Sequence, residues 1–322
     1  MGKIAVIFPG QGSQYIGMGL DFYQNYQVAK HIFTTADNIL NDSLTKVIFT
    51  GPDDELKLTV NTQPAILLTS LAIWEVVREE LGLKVDYLAG HSLGEYSALA
   101  AAGSISIAEA LQLVRKRGRY MEEAVPAGEG TMAAIMGMEQ DELTKLCAEV
   151  TAEGYSVELA NINTPNQIVI SGTKNGVEIA GERAKEQGAR RVIPLSVSGP
   201  FHSRLMQPAK EQLAQAVENA AIQDARIPVV TNVTALPETL AEEIKNNLIK
   251  QVVSPVQWTN SVEWLVEAGV DTFIEVGPGK VLSGLVKKIA KDVQVFAIED
   301  LASYSTFKEQ FINKARLIRK EF

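Results

Sequence analysis

Cysteine is nearly missing from this chain of 322 residues: Cys147 stands alone. A single thiol excludes an intramolecular disulfide and a thiolate metal cluster, and it fits a reducing, cytoplasmic setting. Histidine is almost as scarce, with three residues, so any general base of that type must be His31, His91 or His202. No run of about 18 apolar residues occurs, and no membrane span is expected. The opening MGKIAVIFPG enters an apolar strand at once, without the basic region and long apolar stretch of a signal peptide, and Val6 stands where myristoylation requires Ser or Thr. Basic residues are in deficit, with 30 Lys and Arg against 39 Asp and Glu and a net charge of −9. The surplus that neutralises phosphates is absent, which argues against nucleic acid as the main partner.

What remains is an ordinary globular composition, 46% hydrophobic and 21% charged, in a chain long enough for one large domain or two modest ones. The strand KIAVIF runs into the glycine-rich PGQGSQYIGMG. Neither nucleotide-loop pattern fits. The dinucleotide fingerprint from Gly10 and Gly12 needs a third glycine where Tyr15 stands, and the spacing Gly12 to Gly17 is followed by Met18 instead of lysine. The turns of this loop still offer free N–H groups to a developing negative charge.

Helical patterns follow around 20–41 and 64–81, then a strand ending at Gly90 and a helix from Ile107 opened by the capping pair Ser106 and Glu109. Texture changes after EAVPAGEG. Residues 131–197 read strand, helix, strand, strand, helix, strand, the ferredoxin-like βαββαβ order. Beyond them IPVVTNV, DTFIEVG and VQVFAI alternate again with helical segments. The expected fold is α/β: a hydrolase-like parallel-sheet core over 1–127 and 198–322, with an inserted ferredoxin-like subdomain over 128–197. The charged end NKARLIRKEF reads as a frayed terminus.

Chemistry concentrates in VDYLAGHSLGEYSALAAAG, residues 85–103. A serine held at the apex of a strand-to-helix turn needs room where strand and helix pass close together, and Gly90 and Gly94 supply it. Ser92 is then exposed at the carboxyl end of a sheet, facing the unpaired N–H groups of a helix start. A serine hydroxyl is a weak nucleophile and needs a base. His91 adjoins Ser92 in the chain, and side chains of neighbours at a tight turn diverge; His31 sits in a helical stretch far from any motif. His202, in LSVSGPFHSRLM, follows a strand-like run and a turn fixed by Gly199 and Pro200. No acid stands out as a third member, which favours a Ser–His pair oriented by an amide or backbone carbonyl. In the helix from Ile107, residues Ile107, Ala110, Leu111, Val114, Gly118 and Met121 form an apolar face with Arg117 at its edge. A guanidinium there must meet an anion, either an internal Asp or Glu or the carboxylate of a substrate.

With FPGQGSQ (8–14), TQPAIL (62–67), GHSLGEYSAL (90–99), NTPNQIVISG (163–172), GPFHS (199–203), SPVQW (254–258) and EVGPGKVLSGL (275–285), the chain resembles the malonyl-CoA:acyl carrier protein transacylase family of fatty-acid synthesis, which also serves as the acyltransferase of polyketide synthases. The motifs occur in family order over nearly the whole length. The resemblance implies that Ser92 is acylated and His202 is the base, that the main-chain carbonyl of Gln251 orients the histidine, and that N–H groups of Gln11 and Leu93 form an oxyanion hole. Arg117, Met121 and Phe201 would bind the substrate, Arg117 holding the malonyl carboxylate and Phe201 matching the malonyl-type motif, where methylmalonyl enzymes usually carry Ser. Malonyl-CoA is the implied substrate and holo acyl carrier protein the implied partner, with no metal and no tightly bound cofactor. A monomer is expected. The carrier is itself acidic in this family, so Arg190 with Arg191 and Lys287 with Lys288 are the candidates for docking it. Other readings are an acyltransferase serving a polyketide synthase, a serine hydrolase or thioesterase, and a silent carrier-binding module.

Overall fold

The computed structural model describes residues 2–126 and 128–318. Its strands are β1 (Lys3–Phe8), β2 (Tyr87–Gly90), β3 (Gly130–Met136), β4 (Val157–Thr164), β5 (Gln167–Thr173), β6 (Arg191–Pro194), β7 (Val229–Val230), β8 (Pro237–Glu238), β9 (Val270–Val276) and β10 (Gln294–Ile298). They form two sheets, one ordered β10-β9-β1-β2-β7-β8 and the other β4-β5-β3-β6.

The first sheet is parallel from β10 through β7, with only β8 reversed. β1 is buried from Ile4 to Phe8, as a central strand covered on both faces must be, which explains why its sequence is a continuous apolar run. Phe8 pairs with Gly90 and Ala89 with Val230, so β1, β2 and β7 end side by side. The loops that follow them carry Gln11, Ser92 and Asn232 to one edge of the sheet, where open α/β sheets bind ligands.

The second sheet is antiparallel throughout, and its strand order is that of a ferredoxin-like unit. Period-two alternation divides its faces. Ala133 and Ile135 of β3 pack with Leu143, Leu146, Cys147 and Val150 of helix Gln140–Ala152. Met132 and Ala134, pointing the other way, join the main core. The sheet is pinned to the larger unit by the backbone: Ile162 donates to the Val256 carbonyl at 2.9 Å and Val256 to that of Ala160 at 2.8 Å.

Several expectations need correction. The pattern over 20–41 is two helices, Leu20–Asn25 and Gln27–Leu40, divided at Tyr26, whose backbone is extended. The helix expected from 64 begins at Thr59 and carries Pro64 inside it, because burial of nearly the whole element outweighs one lost backbone bond. IPVVTNV yields only Val229–Val230: Pro228 has no N–H to give, and Thr231 turns back to bond Leu236. Of the capping pair, the Glu109 N–H donates to Ser106 Oγ at 3.1 Å. The segment after 300 forms helix Leu301–Ile318, with Tyr304 and Phe307 in the core. The terminus expected to fray is thus helical to Ile318, and 319–322 lie outside the described residues, as does Ala127 at the expected boundary. Among the described residues, no helix is long and apolar enough to cross a membrane.

Candidate active site

Crowding at the turn after β2 is severe. A Cβ on Gly90 would overlap the Gly94 carbonyl, and one on Gly94 would overlap the carbonyl oxygen of Phe8. Between them Ser92 takes φ 51° and ψ −103°, a conformation that costs a non-glycine residue about 1–3 kcal/mol and needs support. Asn232 supplies it. The Ser92 N–H donates to Asn232 Oδ1 at 2.6 Å, while Asn232 Nδ2 donates to the Gly90 carbonyl at 2.6 Å. The side chain of Ser92 is left at the mouth of helix Leu93–Ala101. Among the described residues no acceptor meets the N–H of Leu93 or of Gln11, which leaves two donors free at this edge.

Ser92 Oγ lies 2.7 Å from His202 Nε2. On the other side of the ring, Nδ1 is 2.9 Å from the main-chain oxygen of Gln251. A carbonyl only accepts, so the proton sits on Nδ1 and the Nε2 lone pair faces the serine hydroxyl. His202 is 3% exposed; burial, aided by the nearby Arg117 charge, pushes its pKa down to about 3, leaving the ring neutral and able to take a proton. The third member of this relay is a backbone carbonyl and not an acid. His91 turns away, with Nε2 at 2.8 Å from Asn163 Oδ1, and His31 is exposed on its helix.

Arg117 is 1% exposed. One terminal nitrogen donates to Gln63 Oε1 at 2.7 Å; the other donates to Gln251 Oε1 at 2.9 Å and to Ser92 Oγ at 3.1 Å. Its guanidinium carbon lies 5.4 Å from the centre of the Tyr96 ring, and Nε has no partner. Among the described residues it forms no ion pair within 4.0 Å. Of the two anions that the sequence left open, the internal one is therefore not in contact. A buried cation beside the nucleophile, held only by neutral oxygens, is electrostatically incomplete. Met121 is buried next to it, its sulfur 3.5 Å from Gln63 Nε2, and Phe201 is buried beside His202. A cavity of about 250 Å³ starts at Gln11 and His91 and continues past Asn163, Val169 and Leu195 of the small sheet and its exit.

The family model described as the acyl transferase domain matches residues 6–319. The chain belongs to this family. It is 54% identical over 300 residues to the malonyl CoA-acyl carrier protein transacylase of Bacillus subtilis (strain 168), covering 93% of this chain and 94% of that protein. Among solved structures, an acyl carrier protein S-malonyltransferase from Vibrio cholerae superimposes with a TM-score of 0.92 at 46% identity, over 94% of this chain and 99% of that one. A malonyl-transacylase in complex with its type II PKS acyl-carrier protein gives 0.93 at 43% identity, over 96% and 99%. The fold is thus that of the acyltransferases, with the parallel core and the antiparallel second sheet.

Ser92, His202, Gln251 and Arg117 are joined by hydrogen bonds in this acyltransferase; Met121 reaches them through Gln63, Leu93 and Phe201 adjoin Ser92 and His202 in the chain, and the Gln11 side chain bonds Thr59. Arg190, Arg191, Lys287 and Lys288 are all exposed and border none of the cavity at Gln11; Lys287 lines a separate recess of about 580 Å³ beside helix Leu301–Ile318. Three residues escaped the sequence reading. Gln63 sits within TQPAIL, Asn232 at the end of IPVVTNV, and Glu95 among the small residues of GHSLGEYSAL. A carboxylate in an apolar helix that is buried on every side was the one available signal.

Proposed function

We propose that this protein transfers the malonyl group of malonyl-CoA to the phosphopantetheine thiol of holo acyl carrier protein, supplying extender units for fatty-acid synthesis. Ser92 Oγ attacks the thioester carbonyl as its proton passes to His202 Nε2. The carbonyl oxygen, now negative, is met by the N–H groups of Gln11 and Leu93. Collapse of the adduct breaks the C–S bond, and His202 returns the proton to the departing CoA sulfur. The carrier thiol then attacks the Ser92 ester, giving its proton to His202, which restores it to the serine oxygen. Gln251 keeps the ring in the required tautomer throughout, and Arg117 holds the free carboxylate of the acyl group.

The observation that carries this reading is the Arg117 guanidinium, 3.1 Å from Ser92 Oγ and lacking a carboxylate partner. An esterase for neutral acyl groups has no use for such a cation, whereas a malonyl ester completes it. The scheme uses no metal and no tightly bound cofactor. We read the protein as a monomer, and the lone buried Cys147 supports a cytoplasmic setting. We assign 1–127 with 198–322 to the catalytic unit and 128–197 to the small one, on the two sheets and on the core that one face of the second sheet forms with its own helices. Carrier docking is read onto Arg190, Arg191, Lys287 and Lys288 from their exposed charge. The neighbour bound to a type II PKS carrier favours, as a second reading, service to a polyketide synthase.

Intact mass after exposure to malonyl-CoA tests the proposal. A malonyl adduct that maps to Ser92 and leaves faster to the carrier thiol than to water is expected. Full labelling of Ser92→Ala, or discharge to water as fast as to thiol, refutes it.

A further inference from the structure

Glu95 is 1% exposed, one turn after Ser92, and no step above uses it. Its Oε2 accepts from Gln251 Nε2 at 2.8 Å and from the Asn232 N–H at 3.0 Å. Gln251 Nε2 also donates to the Ser92 carbonyl at 3.0 Å, and with its amino end so engaged, the oxygen end faces Arg117. A side-chain amide has two ends of nearly the same shape. Reversed, this one would set its NH2 against the guanidinium and its oxygen against a carboxylate. Glu95 and Arg117 therefore select one orientation between them.

We propose that Glu95 is a positioning residue for substrate choice: acting through the Gln251 amide, it fixes the direction in which Arg117 presents its N–H groups to the free carboxylate of the acyl group. It touches neither the acyl group nor the reacting atoms. Burial pushes its own pKa up to about 7, a cost that an apolar residue filling the same space would not carry. Such a cost marks a side chain kept for the acceptor it offers. The second bond, to Asn232, ties the same carboxylate to the residue that supports the Ser92 turn.

The inference rests on malonyl transfer as proposed above, and labelling of wild-type Ser92 by malonyl-CoA separates the two. If no ester forms, the transfer reading fails; if the ester forms and the ratios below do not move, only the role of Glu95 fails. The measured quantity is the ratio of kcat/KM for malonyl-CoA to that for acetyl-CoA. Glu95→Leu, which removes the acceptor, is expected to lower the ratio by about tenfold or more, the scale of misaligning one charge-assisted hydrogen bond. Glu95→Gln, which restores a neutral acceptor, should stay within about threefold of wild type. In an Arg117→Ala background, adding Glu95→Leu should leave the ratio within about twofold, since the residue it acts through is gone. Gln251→Leu retains the main-chain carbonyl and should repeat the loss. An unchanged ratio in folded Glu95→Leu, equal damage in Glu95→Gln, or an undiminished effect without Arg117 overturns the proposal. Should Glu95→Leu fail to fold, an unchanged ratio in Gln251→Leu overturns it instead.

Discussion

Arg117→Ala separates a carboxylate clamp from a structural arginine. In the folded protein the guanidinium satisfies Gln63 Oε1 and Gln251 Oε1, and each oxygen left unpaired costs about 1–3 kcal/mol. Against this, the variant no longer buries a cation that has no carboxylate in contact and only Glu95, beyond Gln251, as a counter-charge, a penalty of several kcal/mol. The two terms oppose, so the expected change in melting temperature is only a few degrees. Malonyl transfer behaves differently. Its carboxylate would enter a dry site without a partner, at a cost of about 3–5 kcal/mol, or roughly 10²–10⁴ in kcat/KM. Acetyl-CoA strands no charge, and its transfer should hold or rise, which erases or inverts the preference. Arg117→Lys keeps the charge but cannot span both glutamines, and should fall between. The assay is kcat/KM for both thioesters beside a melting curve for each variant. A malonyl preference undiminished in folded Arg117→Ala refutes the clamp, and so does a loss of both substrates in proportion to a fallen melting temperature.

Gly94→Ala places a Cβ on the Phe8 carbonyl oxygen; the Cβ is fixed to its Cα and the oxygen is backbone, so neither can swing aside. The variant should lose several kcal/mol of stability, read in a denaturant titration, and form no Ser92 ester; wild-type stability would contradict the close passage of strand and helix. His202, with its pKa near 3 against an ordinary value of about 6.5, should stay neutral through the usual range. The acid limb of kcat/KM for acetyl-CoA should then lie well below pH 6, and a limb at 6.5 would refute the effect of burial. The same shift has a consequence for stability: between pH 6.5 and 3 the unfolded chain takes a proton that the folded one refuses, so the contribution present above 6.5 is lost as pH falls. His202→Gln should flatten that part of the stability profile.

The turn at Ser92 was legible because its requirement is local: glycines two residues to either side answer a clash between neighbouring elements. His202 was reached by scarcity, since two rivals were disqualified by chain adjacency and by context. The second sheet was legible through its βαββαβ order, because its apolar strand runs are separated by two helices of clear helical period. Arg117 could be placed at the edge of an apolar face, but not given a partner. Gln251 came from the resemblance alone, for a role played by a main-chain carbonyl leaves no mark on the side chain. Gln63 and Asn232 had no pattern to betray them, because their partners lie 54 and 140 residues away in sequence, and the carboxylate of Glu95 stood out among small residues without revealing its partner 156 residues away. Nor could β7 be trimmed in advance, since its end is set by a turn onto β8 and not by its own apolar run.

Both members of the reacting pair stand on left-handed backbone, Ser92 at φ 51° and His202 at φ 59°. Neither conformation would persist in a loosened chain; each is imposed by what surrounds it. For anyone engineering this protein, durability of the scaffold and durability of function are therefore separate targets. Loosening the contacts of Asn232 and Gln251 should release these two residues to ordinary backbone angles and end turnover even where the sheets stay paired. Substitutions that stiffen remote helices will raise the melting temperature without widening the working range. Substitutions that strengthen the supports at Asn232 and Gln251 are the ones that should widen it.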